Sequence, residues 1–147
     1  MGCHTLFFDG ASKGNPGITG AGRVIFDPRG DKQKDFAWGL GRSTNNNAEW
    51  LALLKGLEIA LTLGIRDLVV FGDSLLVIKE VRKLARNYKN PSNKMHHIFN
   101  SLIGDFNVIN FLHILRSDNQ SVDKMANVEV QLDYGFMICN RNNPERC

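Results

Sequence analysis

The sequence predicts an α/β domain in which three antiparallel strands lead into strands that alternate with helices. Two observations support this class. Apolar and β-branched residues form strand-length runs at about 4–9, 20–27 and 33–40, and the Pro and Gly of a hairpin turn lie between the last two, in Asp27–Asp31. After residue 40 the apolar spacing changes to a helical period. This order predicts a mixed sheet with helices on both faces.

The second half of the sequence alternates helices and strands. Apolar residues recur at i, i+3, i+4 and i+7 from Ala48 to Leu63, which predicts an amphipathic helix with Thr44 or Asn45 as its N-cap and Gly64 as its stop. The elements predicted after it are a buried strand at 67–72, helices at 74–85 and 94–104, a strand at 108–115 and a last helix at 121–130.

Length and composition indicate one globular domain. The protein has 147 residues, of which 43% are hydrophobic and 22% charged, and we assign residues 1–130 to the domain and 131–147 to a C-terminal tail. No apolar run approaches the ~18 residues of a membrane span, so no membrane association is expected. No obligate protein partner is inferred. Three widely spaced cysteines favour a reduced, intracellular compartment, which could be nucleus, cytoplasm or organelle.

Four acidic residues stand where predicted elements begin or end. Asp9 follows the first strand run, and the glycine-punctuated segment 10–17 predicts a tight turn directly after it. Asp73 follows the fourth strand. If these two strands are parallel neighbours, both carboxylates lie at one edge of the sheet, where ligands bind in α/β folds. Glu49 lies at the start of the first helix, and Asp123 lies near the start of the last.

Each acid also has a simpler interpretation. Glu49 and Asp123 could be surface residues that stabilise a helix N-terminus, and Asp73 could be an N-cap. Asp118, five residues earlier, competes with Asp123 for the role of the acid near the start of the last helix. The small residue Gly56 allows the helix face that carries Glu49 to approach another element closely. Because one edge of the sheet could collect four acids, the pattern predicts a divalent metal site for phosphate chemistry.

Four segments that contain these acids occur in a fixed order. They are Asp9-Gly10-x-x-x-Gly14-Asn15-Pro16-Gly17, Thr44-Asn45-Asn46-x-x-Glu49, Phe71-x-Asp73-Ser74 and Arg116-x-x-Asn119-x-x-Val122-Asp123-x-Met125-Ala126. Together they resemble the ribonuclease H type 1 family, and the last resembles its plant branch, called reverse-transcriptase-like. The resemblance extends from about residue 5 to about residue 128.

The resemblance implies a ribonuclease H-like fold with a five-stranded mixed sheet. It also implies endonucleolytic cleavage of the RNA strand of RNA–DNA hybrids, with a pair of Mg²⁺ ions as cofactor and Mn²⁺ as a substitute. The catalytic and metal-binding residues that it implies are Asp9, Glu49, Asp73 and Asp123. The substrate-binding residues that it implies, some of them contacting ribose hydroxyls, are Gly10, Ala11, Ser12, Asn15, Thr44, Asn45, Asn46 and Ser74.

The positive charge is unevenly distributed along the sequence, whose net charge is +3. The segment 79–94 is rich in Lys and Arg and contains only Glu80 as an acid. This segment is either a solvated helix face or a surface that contacts substrate phosphates, and the resemblance favours the second.

One departure from the family pattern leaves a second function open. Many members of the family carry a mobile histidine in the loop before the last helix, whereas this protein has no histidine in 116–120. His113 is close in sequence but lies in a predicted strand. The alternative function is therefore a catalytically weak or inactive nucleic-acid-binding module of a larger retroelement-derived or regulatory protein.

Overall fold

The structure is a computed structural model that describes residues 2–14, 17–86, 93–120 and 137–139. The elements, in sequence order, are β1 (His4–Gly14), β2 (Gly17–Phe26), β3 (Lys32–Ser43), α1 (Asn45–Thr62), β4 (Asp67–Gly72), α2 (Leu75–Arg86), α3 (Lys94–Ile103), β5 (Val108–His113), α4 (Arg116–Gln120) and β6 (Met137–Cys139). None of the helices described is long and apolar enough to cross a membrane.

The strands form one mixed sheet in the order β3-β2-β1-β4-β5-β6. The first three strands are antiparallel, while β1, β4 and β5 are parallel neighbours, as predicted. The short strand β6 pairs antiparallel with β5, lies in the segment predicted as a tail and adds a sixth strand to the five that the resemblance implies. This segment therefore contributes to the sheet, and the domain boundary at residue 130 stays a prediction.

Alternate residues of the central strands pack into two apolar clusters on opposite faces of the sheet. The larger cluster joins side chains of α1, α2 and α3 to one face of the sheet, including Leu6, Phe8, Val70 and Phe111. The smaller cluster, on the other face, consists of Phe7, Val24, Phe26, Phe71, Leu112 and Ile114. The helix predicted at 121–130 lies outside the described residues.

Strand β1 is longer than the sequence suggested, and the tight turn predicted directly after Asp9 is wrong. The antiparallel pairing of β1 with β2 continues through the glycine-rich segment, from the pair Asp9–Gly22 to the pair Gly14–Gly17. Glycine is a poor strand former alone, but here the backbone pairing with β2 holds it extended. The parallel pairing of β1 with β4 ends at Phe8, so Asp9 still emerges at the edge of the parallel part.

Helix α1 lies against β1 because its inner face carries small residues. Its N-cap is Thr44, whose Oγ1 accepts a hydrogen bond from Asn47 N at 3.2 Å. A Cβ atom at Gly56 would lie 2.8 Å from both terminal methyl groups of Leu6. The close approach predicted from Gly56 is therefore confirmed, and Gly64 follows the helix in a left-handed conformation with φ of +82°.

The short helix α4 replaces a predicted loop. Its backbone shows a helical hydrogen bond from Asn119 N to Leu115 O at 3.0 Å, and the Asn119 side chain is fully buried. Five residues have too little helix propensity to fold alone, so tertiary packing of this side chain fixes the turn.

Candidate metal centre

Three of the four predicted acids meet at the edge where the parallel strands end. Asp9 follows the last β1–β4 pair, Asp73 follows β4 directly, and Glu49 lies near the start of α1. Each offers one carboxylate oxygen, and these oxygens all lie within 4.8 Å of one another. This spacing allows a single divalent cation to contact all three residues, and oxygen ligands are those that Mg²⁺ prefers.

The fourth acid cannot be placed in the same way. Asp123 lies outside the described residues, so its role as a ligand stays a prediction. Its competitor Asp118 is half-buried in α4 and does not belong to the acidic group formed within the described part of the protein.

Gly10 brings Glu49 to the other acids. Its backbone N–H donates a hydrogen bond of 3.0 Å to Glu49 Oε1. A Cβ atom at this position would lie 2.2 Å from the carbonyl carbon and oxygen of Ala48 and 2.5 Å from Glu49 N. Only glycine permits such a close approach between β1 and the start of α1. Gly10 therefore determines where the Glu49 carboxylate lies.

Asp73 is held at its backbone and at its side chain. His113 Nε2 lies 3.2 Å from Asp73 O, and Asn119 Nδ2 donates a hydrogen bond of 3.0 Å to Asp73 Oδ2. The capping of α2 falls to Ser74, whose Oγ accepts from Val77 N at 3.3 Å. The interpretation of Asp73 as an N-cap is therefore wrong, and its carboxylate is available at the acidic site.

The acidic site is electrostatically unfavourable in the absence of a cation. Glu49 is 7% exposed, and its Oε2 is buried without a hydrogen-bond partner within the described ranges. Burial raises the pKa of Glu49 to about 9, with further increases from Asp9 and Asp73, while the hydrogen bond from Gly10 opposes the shift. Burial also raises the pKa of Asp9. A group of desolvated carboxylates with an unsatisfied oxygen fits a divalent cation.

The raised pKa of Glu49 predicts how stability depends on pH in a chelator. The folded protein binds this proton more tightly than the unfolded polypeptide, in which the pKa is near 4.5. Stability should therefore fall as pH rises from about 5 to 9, by on the order of 10–20 °C in melting temperature. Excess Mg²⁺ should remove most of this fall, because the cation replaces the proton.

Thermal melts in EDTA at several pH values, for wild type and Glu49→Gln, measure this dependence. The uncharged glutamine should give a flatter profile and a smaller stabilisation by Mg²⁺. Identical profiles for the two proteins would contradict the assignment of Glu49 to a cation site.

The predicted substrate-binding residues lie around the same edge. Asn45 and Asn46 form the first turn of α1, and Asn46 Oδ1 is buried with no hydrogen-bond partner among the residues that the structure describes. Thr44 and Ser74 cap helices through their hydroxyl oxygens. Ala11 and Ser12, two further predicted substrate-binding residues, lie in β1, and their side chains are not described. Asn15 lies outside the described residues.

The basic segment 79–94 is partly structural. Arg82 donates to Phe111 O from Nε at 3.1 Å and from Nη2 at 2.8 Å, which ties α2 to β5. Lys79, Lys83 and Lys94 are exposed. The proposed contact with substrate phosphates therefore depends on the lysines rather than on Arg82.

Two residues near the acidic site had no role in the sequence analysis. Asn119 belongs to the fourth motif, four residues before Asp123, and this position in the motif was the sequence feature that could have indicated a functional role. Arg23 lies in β2 opposite Phe8, and its guanidinium donates to the backbone oxygen of Asn119. No sequence pattern indicated this contact, because it joins residues 96 positions apart.

Comparison with known proteins identifies the family. The family described as Reverse transcriptase-like matches residues 7–129, which include Asp9, Glu49, Asp73 and Asp123. The chain belongs to this family. The family assignment made from the four sequence motifs is thereby confirmed, and the reverse transcriptase-like description agrees with the resemblance of the last motif.

Several relatives of this reverse transcriptase-like protein are named ribonuclease H or ribonuclease HI. Ribonuclease HI of Halobacterium salinarum is 34% identical over 122 residues, which are 82% of this chain and 61% of the relative. The chain thus spans less than two thirds of that relative. A crystal structure of RNase H1 from Halobacterium salinarum NRC-1 superposes with a TM-score of 0.70 at 28% identity, covering 90% of this chain and 96% of the other.

A second solved structure includes nucleic acid. LC11-RNase H1 in complex with an RNA/DNA hybrid superposes with a TM-score of 0.63 at 25% identity, covering 88% of this chain and 94% of that one. The predicted ribonuclease H-like fold is confirmed by these likenesses.

Proposed function

We propose that this protein hydrolyses the RNA strand of RNA–DNA hybrids in the presence of divalent cations. The observation that carries the proposal is the group of three carboxylates within 4.8 Å at the end of the parallel strands. Membership of the reverse transcriptase-like family and the likeness to a hybrid-bound RNase H1 support the substrate class.

Asp9, Glu49 and Asp73 would hold the cations, with Asp123 as a further ligand. Mg²⁺, or Mn²⁺ in its place, would supply an activated water and stabilise the leaving oxygen. Two metal ions about 3.5–4 Å apart do this in nucleases. The protein fixes the ligands before the substrate arrives. Gly10 N–H orients Glu49, and the side-chain amide of Asn119 orients Asp73. Such preorganisation lowers the cost of reaching the reactive geometry.

Selectivity for RNA requires groups that recognise the ribose 2′-hydroxyl. The Asn46 amide, whose Oδ1 is buried without a partner among the described residues, would accept a hydrogen bond from such a hydroxyl after its side chain rotates toward the substrate. The hydroxyl oxygens of Thr44 and Ser74 each accept a hydrogen bond from a backbone N–H group. Each hydroxyl keeps its own proton, which it can donate to a phosphate oxygen. Capping and substrate contact are therefore compatible at these two positions.

A cleavage assay with end-labelled duplexes tests the proposal. With Mg²⁺, the RNA strand of an RNA–DNA hybrid should be cut, while RNA–RNA and DNA–DNA duplexes of the same sequence remain intact. EDTA should abolish cleavage, and added Mg²⁺ should restore it. Hybrid binding without cleavage in Mg²⁺ or Mn²⁺ would refute the proposal and favour the weak or inactive binding module, for which the missing loop histidine is the sequence evidence.

A further inference from the structure

The side-chain amide of Asn119 connects two strands that carry metal-site acids. Its Nδ2 donates to Phe8 O in β1 at 3.0 Å and to Asp73 Oδ2 after β4 at 3.0 Å. Both partners are oxygen atoms that accept from Nδ2, so the N–H end of the amide faces them. One amide therefore fixes the Asp73 carboxylate relative to the peptide that precedes Asp9.

Asn119 is itself firmly held. The residue is 0% exposed, and its backbone N–H donates to the carbonyl oxygen of Leu115, the residue before α4, at 3.0 Å. Its backbone oxygen accepts the guanidinium of Arg23 from β2. Arg23 is also the one non-glycine residue of the described part that has a positive φ, +149°. Backbone conformations of this kind persist where the surrounding structure over-determines them.

We propose that Asn119 is a positioning residue that sets the affinity of the acidic site for divalent cations. This inference rests on the proposed function, because it takes Asp9, Glu49 and Asp73 as the cation ligands. Without the amide, the Asp73 carboxylate loses the hydrogen bond that orients it, and repulsion from the Asp9 carboxylate favours its rotation away from the site. Partners of metal ligands typically contribute about 10–100-fold to metal affinity.

The variants Asn119→Leu and Asn119→Ala remove the amide, and leucine keeps most of the buried volume. The matched control is Asn110→Leu, which removes a half-buried amide from the middle of β5. Arg23 is unsuited as a test position because its guanidinium lies close enough to Asp9 to lower the pKa of that carboxyl, so removing its charge would by itself change the electrostatics of the site.

Isothermal titration of Mn²⁺ into the metal-free 147-residue protein, with circular dichroism to establish folding, measures the effect. Both Asn119 variants should bind Mn²⁺ about 10-fold more weakly than wild type, and Asn110→Leu should bind as wild type does. In cleavage assays the Mg²⁺ concentration for half-maximal rate should rise by a similar factor, while KM for the hybrid at saturating Mg²⁺ stays constant. If the substitution only disturbed the structure, the Mg²⁺ concentration for half-maximal rate and the KM for the hybrid would change together.

Unchanged Mn²⁺ affinity in a folded Asn119 variant would overturn the proposal. If neither variant folds, the wild-type protein provides the readout, by ¹⁵N NMR of the side-chain amides. The Asn119 amide resonance should shift on addition of Mg²⁺ while that of Asn110 does not, and an Asn119 resonance insensitive to Mg²⁺ would overturn the proposal. Weakened Mn²⁺ binding in the variants together with a wild type that cleaves no hybrid would refute the proposed function and support the role of Asn119.

Discussion

Replacing Asp73 by Asn is expected to slow hydrolysis of the RNA strand by roughly 10³-fold, which corresponds to about 4 kcal/mol of transition-state stabilisation. The amide has almost the same shape but carries no charge, so it binds a divalent cation poorly. The substitution removes one carboxylate charge from a desolvated acidic group, so the free energy of unfolding of the metal-free protein should not decrease.

Asp67→Asn is the matched control for this substitution. Asp67 is the first residue of β4, whereas Asp73 follows its last residue, so the two acids lie at opposite ends of the strand. Single-turnover rates at saturating Mg²⁺ should be near wild type for Asp67→Asn and strongly reduced for Asp73→Asn. Equal rates for the two variants would refute the assignment of the acidic site to catalysis.

Replacing Gly10 by Ala is expected to cost about 3 kcal/mol of stability and at least ~100-fold in rate. The added methyl would lie 2.2 Å from the backbone carbonyl of Ala48, and a backbone group, unlike the end of a flexible side chain, has no rotamer that relieves the clash. Helix α1 must therefore move outward from β1. This movement breaks the hydrogen bond from Gly10 N to Glu49 Oε1 and displaces the carboxylate from Asp9.

Gly39→Ala separates this effect from the general cost of replacing a glycine in a strand. Gly39 lies in β3, and a Cβ atom there would meet no heavy atom of the described residues within 4 Å apart from those of Gly39 itself and its two neighbours in the sequence. Urea unfolding should show a large loss for Gly10→Ala and a small change for Gly39→Ala. A Gly10→Ala protein with wild-type stability and activity would show that α1 does not depend on this close approach.

The location of the site was predictable from the sequence because strand ends and helix starts carry its acids. Asp9 and Asp73 each follow an apolar run, and parallel pairing of those runs brings them together whatever the details of the turns. The face of α1 that carries Glu49 was predicted to pack inward from Gly56, and the contact of Gly56 with Leu6 confirms this.

Features that depend on tertiary contacts were not predictable. Glycine-rich residues 10–14 indicated a turn, yet pairing with β2 makes them a strand. The segment 116–120 is polar and short, and it becomes helical because Asn119 is buried between β1 and Asp73. Local propensity is weak compared with such contacts, so the sequence could indicate the acids but not the residues that orient them.

Folding brings Asp9, Glu49 and Asp73 together at the end of the parallel strands, and we propose that they bind divalent cations there. Anomalous diffraction from crystals of the protein grown with Mn²⁺ measures this directly. We expect a manganese peak with carboxylate oxygens of all three residues within about 2–2.5 Å. The absence of a manganese peak beside these three carboxylates at saturating Mn²⁺, whether or not manganese binds at another place, would contradict the assignment of the cation site.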